Sequence, residues 1–176
     1  LSMSAQPVGA TLAHARERVL ITYRSRGATG APIVASGYVL IPRGTPPAGG
    51  WPVLAWAHGT TGVADTCAPS GIYRGGPEWD YQQVSEQALE PWLAQGWAVV
   101  APDYEGLGTP GPHPYMDAAS QRHTVIDAVR AARHLPDAPL AADWVVLGHS
   151  QGGAAALSVA AAEPASDLRL LGAIAA

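Results

Sequence analysis

The 176-residue sequence contains no lysine, asparagine or phenylalanine, and it has a single cysteine, Cys67. All ten basic residues are therefore arginines, and the formal net charge is −4. Because the chain is acidic and has no run of like charges, it lacks the basic footprint of a nucleic-acid-binding protein, and we expect no nucleic-acid partner. A lone cysteine is either a free thiol or half of a disulfide whose other half lies elsewhere.

Long hydrophobic runs are also missing. The longest strongly apolar stretch, residues 154–162, has nine residues, whereas about 20 are needed to span a bilayer. We therefore predict no transmembrane segment. Residues 1–6 have neither the basic nor the apolar region of a signal peptide, so we expect that any signal peptide has been removed or never existed, and secretion cannot be read directly from this sequence.

Motifs for metals and cofactors are lacking too. His123 and His134 stand eleven residues apart on a predicted helix, without a metal-ligand grouping, and are interpreted as surface residues. Residues 106–111 match the spacing G-x-G-x-x-G, but the prolines at 110, 112 and 114 prevent the helix that would hold a pyrophosphate. The prediction is that the protein uses no metal and no cofactor.

What the sequence does contain is an alternation of apolar strands and helices. Two β-branched segments, 19–25 and 33–41, predict an antiparallel hairpin, whereas residues 1–18 show no clear period. From residue 53 onward the order is β, α, β, α, β, α, β, which favours a parallel sheet with right-handed crossovers. The predicted strands number six, and the later elements are strands 53–57, 97–101, 145–147 and 168–175 and helices 79–95, 117–135 and 151–162.

Two of the predicted helices have assignable faces. On helix 79–95, residues Tyr81, Val84, Ala88 and Trp92 are predicted to lie near one face. Helix 117–135 is expected to begin after an Asp117 N-cap and to bury residues Val125, Ile126 and Val129.

The segment that organises the chain is Gly148-His149-Ser150-Gln151-Gly152, between a buried strand and an alanine-rich helix. A strand that becomes a helix within about two residues places Ser150 on a tight turn, with its hydroxyl at the helix N-terminus. This geometry is typical of a nucleophile elbow. The alternative is a βα turn of small residues in which Ser150 is only an N-cap.

A second motif comes after strand 53–57, namely His58-Gly59-Thr60-Thr61-Gly62. In serine acyl-transfer enzymes, one oxyanion donor is the N–H of the residue after the nucleophile, and another comes from a loop after an earlier central strand. We therefore predict Gln151 and Thr60 as backbone donors, with Thr61 as the neighbouring alternative. His58 is interpreted as a loop histidine bonded to the backbone rather than as a proton carrier.

With these motifs in order, the chain resembles the α/β-hydrolase superfamily and, within it, the secretory lipase family. The matching segments are residues 57–60, 101–108 (APDYEGLG) and 148–153 (GHSQGG). The resemblance implies that Ser150 is the nucleophile and that Asp103 and Tyr104 are structural residues at a strand end. It also implies secretion or another extracytoplasmic location.

The sequence departs from the family pattern after Ser150. Members of this superfamily run Ser, then Asp or Glu, then His along the chain, and their sheet has eight strands. Here no histidine comes after Ser150, and the only later acids are Glu163 and Asp167. We therefore expect residues 1–176 to be the N-terminal portion of a single α/β-hydrolase domain, ending after the strand that follows the nucleophile helix. The acid and the histidine of the triad would lie outside this sequence, in a C-terminal remainder that pairs with it.

The predicted function is hydrolysis of a small-molecule ester or lipid through a serine nucleophile. The alternatives are a peptidase, an acyltransferase or a cofactor-free haloperoxidase on the same fold, or a hydrolase-like binding module without activity. Since secretion allows disulfides, Cys67 is expected to pair with a cysteine in the remainder.

Overall fold

The computed structural model describes residues 1–162 and 166–176, which form a mixed sheet with helices on both faces. In this part of the chain the sheet has seven strands and is accompanied by three α-helices and two short 3₁₀ turns, Asp65–Cys67 and Pro69–Gly71. The strands are β1 (Ser2–Gln6), β2 (Ala15–Arg26), β3 (Pro32–Pro42), β4 (Trp51–Ala57), β5 (Ala98–Pro102), β6 (Leu140–Gly148) and β7 (Arg169–Ala175). The helices are α1 (Trp79–Ala94), α2 (Ala118–Ala132) and α3 (Gln151–Ala160).

The strand order is β1-β2-β3-β5-β4-β6-β7. The pairing is antiparallel between β1 and β2, between β2 and β3 and between β3 and β5. It is parallel between β5 and β4, between β4 and β6 and between β6 and β7. The crossovers between the parallel strands carry α1, α2 and α3. This arrangement confirms the predicted α/β-hydrolase fold with an antiparallel N-terminal hairpin.

Strand β1 was not predicted, because nothing in its sequence marks it. Four of its five residues are exposed, so no apolar alternation develops, and its position comes from pairing with β2. Helix boundaries also differ from the prediction. Helix α2 ends at Ala132 and is therefore shorter than predicted. Its beginning is as predicted, because Asp117 is the N-cap and accepts a hydrogen bond from the Ser120 N–H.

The apolar face predicted for α1 is not its buried face. Val84 and Ala88 are exposed, and the buried positions are instead Gln82, Ser85, Glu86, Leu89 and Leu93. Apolar periodicity failed here because polar side chains fill part of the buried face. Gln82 donates to Tyr38 Oη at 3.3 Å, and Glu86 accepts from the Thr11 hydroxyl, so both polar groups are paired.

The core lies in two layers, one on each face of the sheet. Successive residues of a strand point to opposite faces. Accordingly Val53 and Ala55 of β4 pack in the layer that contains α2 and α3, and Leu54 and Trp56 pack in the layer that contains α1. Because β4 is buried on both faces, it holds the first residue of the following loop in place.

Strand β7 contrasts with β4. It pairs with β6 on one side only and has no other strand neighbour in the part of the chain that the structure describes. Six of its seven residues are exposed, including Leu171 at 53 % and Ile174 at 46 %. It is therefore an apolar edge strand that is open along its outer side and largely open on both faces.

Candidate active site

Ser150 occupies the turn between β6 and α3, as the sequence predicts. Its backbone has φ 54° and ψ −115°, a region that non-glycine residues rarely adopt, and the residue is exposed. The turn is tight enough to exclude side chains beside it. A Cβ on Gly148 would overlap the Gly152 carbonyl oxygen, and a Cβ on Gly152 would overlap the Ala57 carbonyl oxygen. The glycines of the motif are therefore a steric requirement.

The main chain of the elbow is held from two sides. His149 N–H donates to Ala57 O at 3.2 Å, which attaches the turn to the end of β4. On the other side, Ser150 N–H donates to Ala176 O at 2.7 Å, and Ala176 N–H donates to Gly148 O at 2.9 Å. These bonds fix the strained conformation of Ser150 without using its side chain.

The N-terminus of α3 presents an unpaired amide next to Ser150. Gly152 N–H donates to His149 O at 2.8 Å and Gly153 N–H to Ser150 O at 2.9 Å. The Gln151 N–H finds no acceptor among residues 1–162 and 166–176. Because a helix N-terminus carries unpaired N–H groups and partial positive charge, it favours a negative oxygen at this position.

His58 begins the loop after β4 and is bonded to the backbone, as expected. Its side chain is buried, with Nδ1 2.6 Å from Gly59 O and Nε2 3.3 Å from Asp103 O. Burial lowers the pKa of His58 to about 4, so the imidazole is neutral near pH 7. Both nitrogens face carbonyl oxygens, which only accept, but the neutral ring has a single N–H, and the shorter contact assigns it to Nδ1.

The next residues of this loop are held by tyrosines from distant segments. Gly59 N–H donates to Tyr81 Oη at 2.5 Å, and the same hydroxyl lies 3.4 Å from His149 Nδ1. Thr60 Oγ1 lies 3.0 Å from Tyr115 Oη. Tyr81 thus connects the first turn of α1 to both the loop and the elbow, a role that its sequence position did not reveal.

The Thr60 N–H, like that of Gln151, has no acceptor in the described part of the chain, and neither has the Thr61 N–H. The Gly59 N–H is already used by Tyr81. Thr60 is exposed and Thr61 is buried. Thr60 is therefore the more accessible of the two threonines whose N–H groups have no acceptor.

Asp103 and Tyr104 lie beside the loop that follows β4. The Asp103 carboxylate is fully buried and accepts from Ser36 Oγ at 2.7 Å, from Ser70 N–H at 2.8 Å and from Ser70 Oγ at 2.5 Å. Burial raises the pKa of Asp103. Tyr104 stacks on the His58 ring with centroids 4.3 Å apart and donates its hydroxyl to His58 O at 2.9 Å. Both side chains are committed to contacts within the fold.

No histidine or carboxylate among the described residues is hydrogen-bonded to the Ser150 hydroxyl. Asp167, one of the two acids after Ser150, pairs with Arg130 at 2.9 Å on the surface, which holds the pKa of its carboxyl below the usual range. Glu163 lies outside the described residues. In the described ranges no three His, Cys, Asp or Glu residues are grouped as metal ligands, and no helix is both long and apolar enough to cross a membrane.

Comparisons with known proteins identify the family that this chain resembles. A model of the secretory lipase family matches residues 81–176. A curated protein of Mycobacterium tuberculosis, named a probable inactive lipase, is 29 % identical over 175 residues, covering 96 % of this chain and 36 % of the relative.

Solved structures have a similar fold. The ligand-bound form of the rice cell wall degrading esterase LipA from Xanthomonas oryzae superposes with a TM-score of 0.74 at 29 % identity, covering 97 % of this chain and 47 % of that one. Candida antarctica lipase A in its closed state has a TM-score of 0.76 at 21 % identity, covering 98 % of this chain and 40 % of that one. The chain thus spans less than half the length of each of these relatives.

Proposed function

We propose that this chain, which belongs to the secretory lipase family, is the N-terminal part of a carboxylic ester hydrolase that acts through Ser150 and an acyl-enzyme. One observation carries the proposal. The strained elbow exposes the Ser150 hydroxyl beside a helix N-terminus, and unpaired main-chain N–H groups stand at Gln151 and Thr60. A serine presented with free backbone donors nearby is what acyl transfer requires.

In the proposed reaction, Ser150 Oγ attacks the carbonyl carbon of the ester as its proton passes to a histidine base. The carbonyl oxygen becomes an oxyanion, which accepts hydrogen bonds from the Gln151 and Thr60 N–H groups. The histidine then protonates the leaving alcohol as the carbon–oxygen bond breaks, and the acyl group stays on Ser150. Water activated by the same histidine releases the acid and restores the serine.

The histidine and its acid partner are proposed to come from a C-terminal remainder of the same protein. Strand β7 supports this, because it leaves Leu171, Ile174 and its outer backbone edge exposed. Long apolar edges of this kind promote aggregation unless another segment pairs with them. A remainder that adds strands beside β7 would cover this edge and bring the missing triad residues to the same end of the sheet as Ser150.

A second candidate is a hydrolase-like protein without activity. It is favoured by the Mycobacterium tuberculosis relative, whose name describes it as probably inactive. The two candidates differ in the residues that the C-terminal remainder supplies. A remainder with the acid and the histidine supports catalysis, and one without them leaves Ser150 without a base and therefore a weak nucleophile.

The experiment that tests the proposal is Ser150→Ala in the full-length protein, assayed on chromogenic esters and, in parallel, on peptide substrates. We expect ester turnover to fall by several orders of magnitude because the triad acts as a unit. The matched control is Ser158→Ala, since Ser158 lies on helix α3, directly after the elbow, but donates to Ala118 O at 2.8 Å on the side of α2. Retention of more than a tenth of the wild-type activity by Ser150→Ala, or activity on peptides alone, would refute the proposal.

We further propose that the protein is secreted, on the strength of the family description, and that Cys67 forms a disulfide with the remainder. Cys67 ends a 3₁₀ turn and is half-buried against the core. Mass spectrometry of the denatured full-length protein with and without reduction tests the pairing. A thiol at position 67 that alkylates without prior reduction rules it out.

A further inference from the structure

Gln151 has a side chain whose role the proposed reaction does not explain. The residue is 2 % exposed, and its Nε2 lies 3.0 Å from His113 Nε2. Its Oε1 has no hydrogen-bond partner among the described residues. Buried amides rarely have only one of their two polar atoms paired. The contact with His113 is therefore the hydrogen bond that fixes the Gln151 side chain.

The protonation of His113 follows from its other contact. His113 Nδ1 lies 2.7 Å from Glu105 O, and a carbonyl oxygen can only accept, so Nδ1 carries a proton. In the neutral ring, Nε2 then bears a lone pair, and it accepts from Gln151 Nε2–H. The two contacts therefore agree on one tautomer and on one orientation of the Gln151 amide.

The position of His113 is itself restricted. It lies between Pro112 and Pro114, which limit the backbone on both sides. Its ring is nearly parallel to that of Tyr104, with an interplanar angle of 13° and centroids 6.3 Å apart. Tyr104 in turn stacks on His58 and donates to His58 O. A continuous series of contacts therefore runs from Gln151 through His113 and Tyr104 to His58.

This series joins the two segments that carry the proposed oxyanion donors, the elbow at Gln151 and the loop that contains His58 and Thr60. Each donor is a backbone N–H whose direction is set by how its segment is held. Donors must be aimed before the reaction at the place where negative charge develops, because reorientation during the reaction would cost part of their effect.

We infer that His113 is a positioning residue that accepts a hydrogen bond from the Gln151 side chain and thereby orients the Gln151 N–H toward the oxyanion. The inference rests on the proposed function for its effect on catalysis, although the hydrogen bond itself does not. Because the oxyanion exists only in the transition state, loss of the His113 contact lowers kcat and leaves KM nearly unchanged.

Two substitutions in the full-length protein separate this role from simple packing. His113→Phe keeps a flat ring against Tyr104 but removes the acceptor, and we expect a fall in kcat of about tenfold, the effect of one hydrogen bond. His113→Gln places an amide oxygen near the position of Nε2 and should recover most of the rate. Equal losses in the two variants, a loss confined to KM, or no loss in His113→Phe would overturn the inference.

A second readout does not depend on activity. Nitrogen-15 NMR of the full-length protein should show neutral His113 with the proton on Nδ1, and Gln151→Met should shift the His113 Nε2 resonance. A proton on Nε2, or an Nε2 chemical shift that is unchanged in Gln151→Met, would overturn the inference even in an active enzyme. Conversely, an active Ser150→Ala variant would refute the proposed function and leave the NMR result intact, so the two failures are distinguishable.

Discussion

The elbow and the loop after β4 face each other across the proposed oxyanion site, yet different forces hold them. The elbow is set by main-chain contacts, through the close approaches at Gly148 and Gly152 and the hydrogen bonds of His149 and Ser150 to Ala57 O and Ala176 O. The loop is set by side chains from elsewhere, namely those of Tyr81, Tyr104 and Tyr115. Contacts between main-chain atoms therefore govern the nucleophile, and side-chain contacts govern the loop that carries its partner donor.

The largest expected effect is at the elbow, in Gly152→Ala. The new Cβ would overlap the Ala57 carbonyl oxygen, which is backbone and cannot rotate away. We expect the free energy of unfolding to fall by about 3 kcal/mol or more, as when overpacking forces backbone to move. Denaturant unfolding measures it, with Gly71→Ala as the control, since nothing lies within 4 Å of a Cβ there. Similar losses in the two variants would show that the contact is unimportant.

The next effect concerns the loop and is a dependence on pH. The folded-state pKa of His58 is about 4, below the usual value of about 6.5, so the unfolded chain binds more protons between these values. The contribution of His58 to stability is therefore complete above pH 6.5 and is lost as pH falls toward 4, by about 3 kcal/mol. Unfolding measured from pH 7 to 4 should show a shallower decline in His58→Asn. Parallel curves would contradict the burial of a neutral imidazole.

A third test separates backbone from side chain at Thr60. Thr60→Pro deletes the N–H and should reduce kcat by about 10² or more, the usual effect of losing one oxyanion donor. Thr60→Ala keeps the N–H and loses only the contact with Tyr115, so it should be mild. Steady-state kinetics on one ester compares the two variants. Equal effects would point to a role for the hydroxyl instead.

The smallest expected effect is that of Tyr81→Phe. The substitution leaves the Gly59 N–H without its acceptor and removes the contact with His149 Nδ1. We expect kcat to fall about tenfold or less, since one hydrogen bond that orients the loop is lost. Tyr73→Phe is the control, because Tyr73 is an exposed tyrosine outside these contacts. A Tyr81→Phe variant with unchanged kinetics would show that the loop holds its shape without the tyrosine.

The difference between the elbow and the loop after β4 also explains which parts of the site could be predicted from the sequence. The elbow was readable because its determinants are adjacent in sequence, with glycines at fixed offsets from Ser150. Tyr81 and His113 were not readable as parts of the site, because they lie about 70 and 40 residues from Ser150 and reach it only through the order of the strands. The buried face of α1 was not predicted for a related reason, since its Gln82 and Glu86 are paired with Tyr38 and Thr11, which are distant in the sequence.

The central claim, that Ser150 is the nucleophile, is tested most directly by a serine-directed fluorophosphonate. The reagent is added to the folded full-length protein, and the modified residue is located by peptide mass spectrometry. We predict a stoichiometric adduct on Ser150 that is absent from Ser150→Ala and from heat-denatured protein. No adduct on Ser150 in the folded protein, or an adduct on another serine that accompanies loss of ester turnover, would contradict it.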